Sequence, residues 1–157
     1  MTPLAWLLGI FLPACGQLGI SGLPVPTPMD MTHISRPGTP NTALAAPAGF
    51  SPPPDIVTPV YPLPAPRLLA EVQAIARNQP RTFEAAEFAS RMQVHYVVRS
   101  AILNFPDLLT IQALPVEGKS STLVMYSRSV YGRSDFGINH RRLETWLAIL
   151  QNTMTPN

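Results

Sequence analysis

Arg91-Met92-Gln93-Val94-His95-Tyr96-Val97-Val98-Arg99-Ser100-Ala101-Ile102 sets Met92, Val94, Tyr96 and Val98 in alternation with Gln93, His95, Val97 and Arg99. A period of two belongs to a β-strand, whose successive side chains leave opposite faces of the sheet. The stretch therefore predicts a strand with an oily face and a face bearing His95 and Arg99. Downstream, Leu108 to Leu114 and Thr122 to Val130 read as two more strands. The loop between them, Pro115-Val116-Glu117-Gly118-Lys119-Ser120, has the glycine a hairpin needs. Upstream, Arg81 to Phe88 alternates more weakly, with Phe83 and Ala85 on one side.

Helices bracket this run. Leu68, Leu69, Val72, Ile75 and Ala76 recur at helical spacing, and Asn78 with Pro80 ends that helix. Leu143, Trp146, Leu147, Leu150 and Met154 form one apolar stripe on a final helix, with Asn139 as its expected N-cap after Gly137. Asp55 to Tyr61 is a short β-type segment that Pro59 confines to an edge. The order is β-α-β-β-β-β-α. It predicts an α+β fold of two layers, in which two helices pack on one face of an antiparallel sheet of four to five strands.

Of the 19 prolines, 15 precede Arg67. Proline lacks an amide donor and fixes φ, so such a stretch supplies neither central strands nor long helices. One folded domain over residues 55–153 follows. Residues 16–54, almost uncharged and rich in Pro, Thr, Ala, Gly and Ser, read as an extended, semi-rigid, disordered linker, with His33 solvated in it. Residues 1–15 read as a signal peptide. Their apolar run from Leu4 to Ala14 is too short to span a membrane and fits an export-signal core. The run ends in Leu12-Pro13-Ala14-Cys15-Gly16, the pattern of a bacterial lipoprotein signal with Cys15 as the lipidation site. An ordinary cleaved secretion signal, or a leader with an incidental cysteine, are the alternatives. The place expected is the cell envelope or periplasm, with the membrane as partner through a lipid anchor.

Cys15 is the only cysteine, which excludes an intrachain disulfide and a cysteine-based zinc cluster. The net charge is +2, and the basic residues are spread along the chain rather than gathered on one element, so nucleic acid is not an expected partner. No cofactor and no metal site is expected.

Alternation carried across the strands places His95, Arg99, Thr110, Gln112, Tyr126 and Arg128 on the face away from the helices. Two guanidinium groups on rigid strands offer forked donors suited to carboxylate or phosphate. The plainer expectation is internal pairing, Arg99 with Asp107 and Arg128 with Asp135. Further along, Arg99-Ser100, Asn104-Phe105-Pro106-Asp107, the string from Tyr126-Ser127-Arg128-Ser129 through Gly132-Arg133-Ser134-Asp135-Phe136-Gly137-Ile138-Asn139, and Arg142-Leu143 occur in order. Over about Asp55 to Leu150 the chain resembles the bacterial and plastid family called domain of unknown function 1499. The resemblance implies that Arg99, Asp107, Arg128, Ser134, Asp135, Gly137 and Asn139 are pattern positions, and that members commonly sit behind a signal or membrane segment. It implies no chemistry.

A glycine-rich phosphate loop, His-Glu-x-x-His and Gly-x-Ser-x-Gly are all missing from the sequence. A hydrolase built from Ser127 or Ser129 with His95 would lack an acid placed to orient the histidine. The leading expectation is a non-catalytic envelope domain that binds a partner or serves a structural role. The alternative is a carrier or sensor of a small amphipathic or anionic ligand, held between the sheet and the C-terminal helix.

Overall fold

The computed structural model describes residues 14–154, and in it the alternating stretch forms β4 (Gln93–Arg99) of a six-stranded sheet. The other elements are β1 (Thr42–Ala46), β2 (Ile56–Val57), α1 (Ala65–Arg77), β3 (Thr82–Phe88), β5 (Pro106–Pro115), β6 (Ser121–Ser129) and α2 (Ile138–Met154). The strand order is β2-β1-β6-β5-β4-β3, antiparallel throughout except for the β1–β2 pair. The fold is thus the two-layer α+β arrangement expected, with one strand more. Among the described residues no helix is long and apolar enough to cross a membrane. The apolar run before Ala14 lies outside the described residues.

The additional strand comes from the segment expected to be linker. β1 pairs with β6 from Thr42 opposite Arg128 to Ala45 opposite Met125, so it is an interior strand. Its sequence, Thr-Ala-Leu-Ala-Ala, sits between Pro40 and Pro47, both outside the ladder, and every amide within it can still donate. Ala43 and Ala45 face the helices, where their small side chains let α2 lie across β1, while Leu44 and Ala46 face the other way.

Both helices cover one face. α1 begins behind Pro64 with Pro66 in its first turn, where a missing amide costs nothing, and closes on Asn78. Its buried stripe of Leu68, Leu69, Val72 and Ile75 meets Leu143, Trp146 and Leu150 of α2 over Tyr96, Leu109, Ile111, Leu123 and Met125. Trp146 packs edge-on against Tyr96, with ring centres 6.0 Å apart. This layer is filled with side chains, so the space beneath α2, where the alternative reading put a ligand, is core.

The opposite face has its own cover. Met31 and Ile34 are buried against Leu44, Ala46, Val124 and Tyr126, with Met29, Phe50 and Leu114 at the margin. Residues 14–29 form a strap across the rest of that face. Within it Leu23, Pro26 and Met29 are partly buried while Pro24, Val25, Thr27 and Pro28 are exposed. A burial period of three is that of a polyproline II helix, whose backbone has no internal hydrogen bonds and whose rigidity comes from its prolines. The segment lies on the sheet instead of extending away from the domain.

Candidate functional site

Register decides which side chains share the outer face. His95 is opposite Thr110, Thr110 opposite Tyr126, and Tyr126 opposite Leu44; Gln93 is opposite Gln112, and Leu108 opposite Arg128. Side chains at paired positions lie on the same side, so His95, Arg99, Thr110, Gln112, Tyr126 and Arg128 share the face that the helices leave. The strap then divides them into separate roles.

Arg99 is spent on the strap. Only 2% exposed, its guanidinium donates from Nε to the Gly19 carbonyl (2.9 Å), from Nη2 to Ser21 (3.0 Å), and from Nη1 to Ala14 and to Asn104 (3.2 Å). Asn104 adds Nδ2 donations to the Cys15 and Gln17 carbonyls. The forked donors thus grip backbone oxygens instead of a carboxylate. The Cys15 side chain is buried beside this clamp, and burial raises its thiol pKa.

Gln93 holds the other end. Its Nε2 donates to the Met29 carbonyl (2.8 Å) and to Gln112 Oε1 (3.1 Å), and its Oε1 accepts from the Met29 amide (2.8 Å). A fully buried glutamine thereby replaces the missing strand partner of Met29, and Gln112 serves this clamp rather than a ligand. Arg99 ends β4 and Gln93 begins it. The six steps of extended chain from Leu23 to Met29 cover about 19 Å, and the six of β4 about 20 Å, so a strap pinned at both ends bridges the strand with little slack.

Beneath that bridge runs a cleft of about 310 Å³. Leu23, Pro26 and Met29 roof it, Val97 and Leu108 lie among its floor residues, and His95, Thr110, Tyr126 and Arg128 bring polar groups to it. His95 Nε2 lies 2.8 Å from Gln93 Oε1. An amide oxygen can only accept, so Nε2 carries the proton, and burial lowers the ring's pKa below 6.5, which favours the neutral form. The half-buried imidazole also stands edge-on to Phe88 at 5.1 Å. The Tyr126 hydroxyl is held up in pKa by burial and is bonded to Thr42. Arg128 is exposed and makes no salt bridge among the described residues. Such a site offers apolar walls, a hydroxyl, a neutral imidazole and an uncommitted guanidinium, which equips it to hold a molecule.

The pattern residues gather elsewhere. Asp107 is on the helix side of β5, so the pairing with Arg99 is ruled out by the sheet between them; its partner is Arg142 of α2, Nη2 to Oδ2 2.6 Å. Asp135 does not pair with Arg128 either. Its two oxygens accept the Gly137 amide (3.0 Å) and the Asn139 amide (2.7 Å), capping α2 in place of Asn139. Ser134 Oγ accepts the Phe136 amide in the same turn, and Gly137 takes φ +77°, which a side chain would resist.

Asn139 is instead inside the helix and fully buried. It donates to the Asn41 carbonyl (3.1 Å) and Ser129 Oγ (3.0 Å), and accepts from Ser127 and Arg142. Arg142 also donates to Ser127 Oγ at 2.8 Å. The network ties the starts of β1, β5 and α2 to the end of β6. Ser127 and Ser129 belong to it on the helix side, across the sheet from His95, so no serine–histidine pair forms. Among the described residues no group of three or more His, Cys, Asp or Glu side chains gathers to hold a metal ion.

Sequence reasoning missed Gln93, Asn104, Arg142 and the strap as parts of this architecture. Arg142 was legible in principle, since it lies three residues from Asn139 on one helical face. The strap's signal was its threefold spacing of Leu23, Pro26 and Met29, the period of a proline-rich helix rather than of an α-helix or strand.

No curated protein matches the chain. A family match extends over residues 34–150, which takes in β1 and the whole polar network and leaves the strap outside. On that match the chain belongs to the family described as protein of unknown function (DUF1499).

Proposed function

We propose that this chain is an exported, membrane-tethered binding domain without chemistry of its own, which takes a small ligand with an apolar body and an acidic head into the cleft beneath its strap. The cleft carries the reading. Its volume of about 310 Å³ is that of a small-molecule site, its walls are mainly apolar, and Arg128 at its edge has no carboxylate partner among the described residues. A guanidinium in that position suits a carboxylate or phosphate group in two-pronged fashion, while Leu23, Pro26, Val97 and Leu108 take the hydrocarbon. The carrier role therefore moves from the helix side of the sheet to the strap side.

The tether rests on the apolar run Leu4 to Ala14 and the Leu12-Pro13-Ala14-Cys15-Gly16 string, read as a lipoprotein signal of the cell envelope. In that reading the processed protein begins at Cys15, and Arg99 keeps the Gly19 and Ser21 carbonyls while losing that of Ala14.

Native mass spectrometry of the protein from its own host tests the cleft. The expected result is an adduct of fixed mass whose occupancy falls about tenfold or more in Arg128→Ala, as a charge-assisted contact is removed. Protein of unadorned mass, or an adduct indifferent to both Arg128→Ala and a cleft-filling Thr110→Trp, refutes the carrier reading. Cys15→Ser is expected to move the protein from the membrane to the soluble fraction, and unchanged fractionation ends the lipoprotein reading.

A further inference from the structure

One end of the domain gathers features that folding does not reward. There the loops after β4 and β6 meet the end of α1, the start of α2 and the start of the strap. Phe105 of the first loop stacks near Tyr131 of the second, ring centres 6.3 Å apart, and the Ala14 amide donates to the Tyr131 hydroxyl at 3.4 Å. Phe136 stands at the tip of the second loop, 84% exposed, with φ +54°. A bulky side chain in the left-handed region is strained, and Gly or Asn would occupy that position more cheaply. Neither burial nor any ring contact compensates it among the described residues. Ile102, at the tip of the first loop, is 66% exposed.

Exposed arginines without an acidic partner predominate at this end. Arg77, Arg81, Arg133 and Arg141 are all exposed and make no salt bridge among the described residues. Of the nearby acids, Asp107 pairs with Arg142, Asp135 accepts the capping amides of α2, and Glu144 lies 3.4 Å from His140, while exposed Glu84 on β3 makes no salt bridge among the described residues. At the far end Arg91 and Lys119 are interspersed with Glu87 and Glu117. The chain also enters the described fold at the basic end, since Ala14 sits on Tyr131 and Arg99, and the residues before it are the apolar run.

We infer that this end is a membrane-docking face, on which Phe136 and Ile102 enter the interface of an anionic bilayer and the surrounding arginines take its phosphate headgroups. Apolar tips ringed by cations are the features that bind such a surface, and the chain enters the described fold at the same end. The inference needs neither a lipid on Cys15 nor an occupied cleft.

The full chain is tested on vesicles of phosphatidylglycerol with phosphatidylethanolamine and on vesicles of phosphatidylcholine. The apolar run contributes to partitioning on both, so the quantity read is the ratio between them. Arg133→Glu with Arg141→Glu is expected to lower that ratio by about tenfold or more, and the distal pair Arg91→Glu with Lys119→Glu to leave it within about twofold. Phe136→Asn suits the left-handed backbone, so it folds, and it is expected to reduce binding to anionic vesicles. Hydrogen exchange on those vesicles is expected to slow in residues 100–105 and 130–138 and not in 115–121. Equal losses from both charge pairs, an unchanged ratio, or protection at 115–121 instead overturns the docking face.

Discussion

Replacing Arg99 with Met removes the strap's anchor and leaves most of the aliphatic stem in place. Wild type sends donations to the Gly19, Ser21 and Ala14 carbonyls from one guanidinium. A hydrogen bond from a charged donor is worth about 1.5–3 kcal/mol, but part of that sum offsets the cost of taking the cation out of water at 2% exposure. A net loss of about 3 kcal/mol in strap docking is expected, which is about a hundredfold in the population of the open strap. Few strap amides can report it, because prolines have none. Ser21 and Leu23 donate to the Leu18 and Ile20 carbonyls inside the clamped turn, and Met29 donates to Gln93. Hydrogen exchange by NMR is therefore expected to accelerate about a hundredfold at Ser21 and Leu23, with much smaller changes at β5 and β6 amides. Arg99→Lys keeps the charge and loses the fork, so it should resemble Met more than wild type. Exchange at Ser21 and Leu23 within about threefold of wild type, or an equal acceleration across β5 and β6, would refute the clamp.

The other two predictions concern the buried polar groups. Asp107→Ala and Arg142→Ala should each destabilise by about 3–5 kcal/mol, because each strands its partner at 10% side-chain exposure; Asp107→Leu with Arg142→Met should cost far less than the sum in urea denaturation, and strict additivity would contradict a paired charge. His95 has a folded pKa below 6.5, so the unfolded chain binds the proton more readily and stability is lost as pH falls through about 6.5. His95→Gln should flatten that part of the stability–pH curve relative to wild type, and an unchanged slope would show that His95 titrates as it does in the unfolded chain.

The layering was legible because the strands from β4 to β6 alternate cleanly. Once Val94, Tyr96, Leu123 and Met125 were assigned inward, alternation put Tyr126 and Arg128 on the same outer side as His95, and the register places Thr110 between them. β1 was not legible, for a physical reason. In Thr-Ala-Leu-Ala-Ala the inward and outward positions differ little in hydropathy, and Pro40 and Pro47 close by suggest a broken backbone. What makes it a strand is β6, whose unpaired edge and the overlying α2 favour small residues there. Partner assignments failed at Asp107 and Asp135, because proximity in sequence does not say on which side of a sheet a side chain lies. Asp107 is one position out of phase with Leu108 and so faces α2, where Arg142 waits.

The strap exposes the deeper limit of composition. Residues 14–29 have too little apolar surface to order themselves, and that inference holds for the segment in isolation. Their order is supplied by a sheet that offers Arg99 and Gln93 to backbone groups at the two ends, so the entropy cost is met by side chains about seventy residues away. A proline-rich backbone suits that arrangement. It has few amides to leave unsatisfied, it is already extended, and its carbonyls are free for an arginine to collect. A strap held only at its ends leaves a gap between its own side chains and the middle of the outer face. The cleft at His95, Thr110, Tyr126 and Arg128 is thus a consequence of how the strap is fastened, and loosening either clamp should change the shape of the cleft before it changes whether the domain folds.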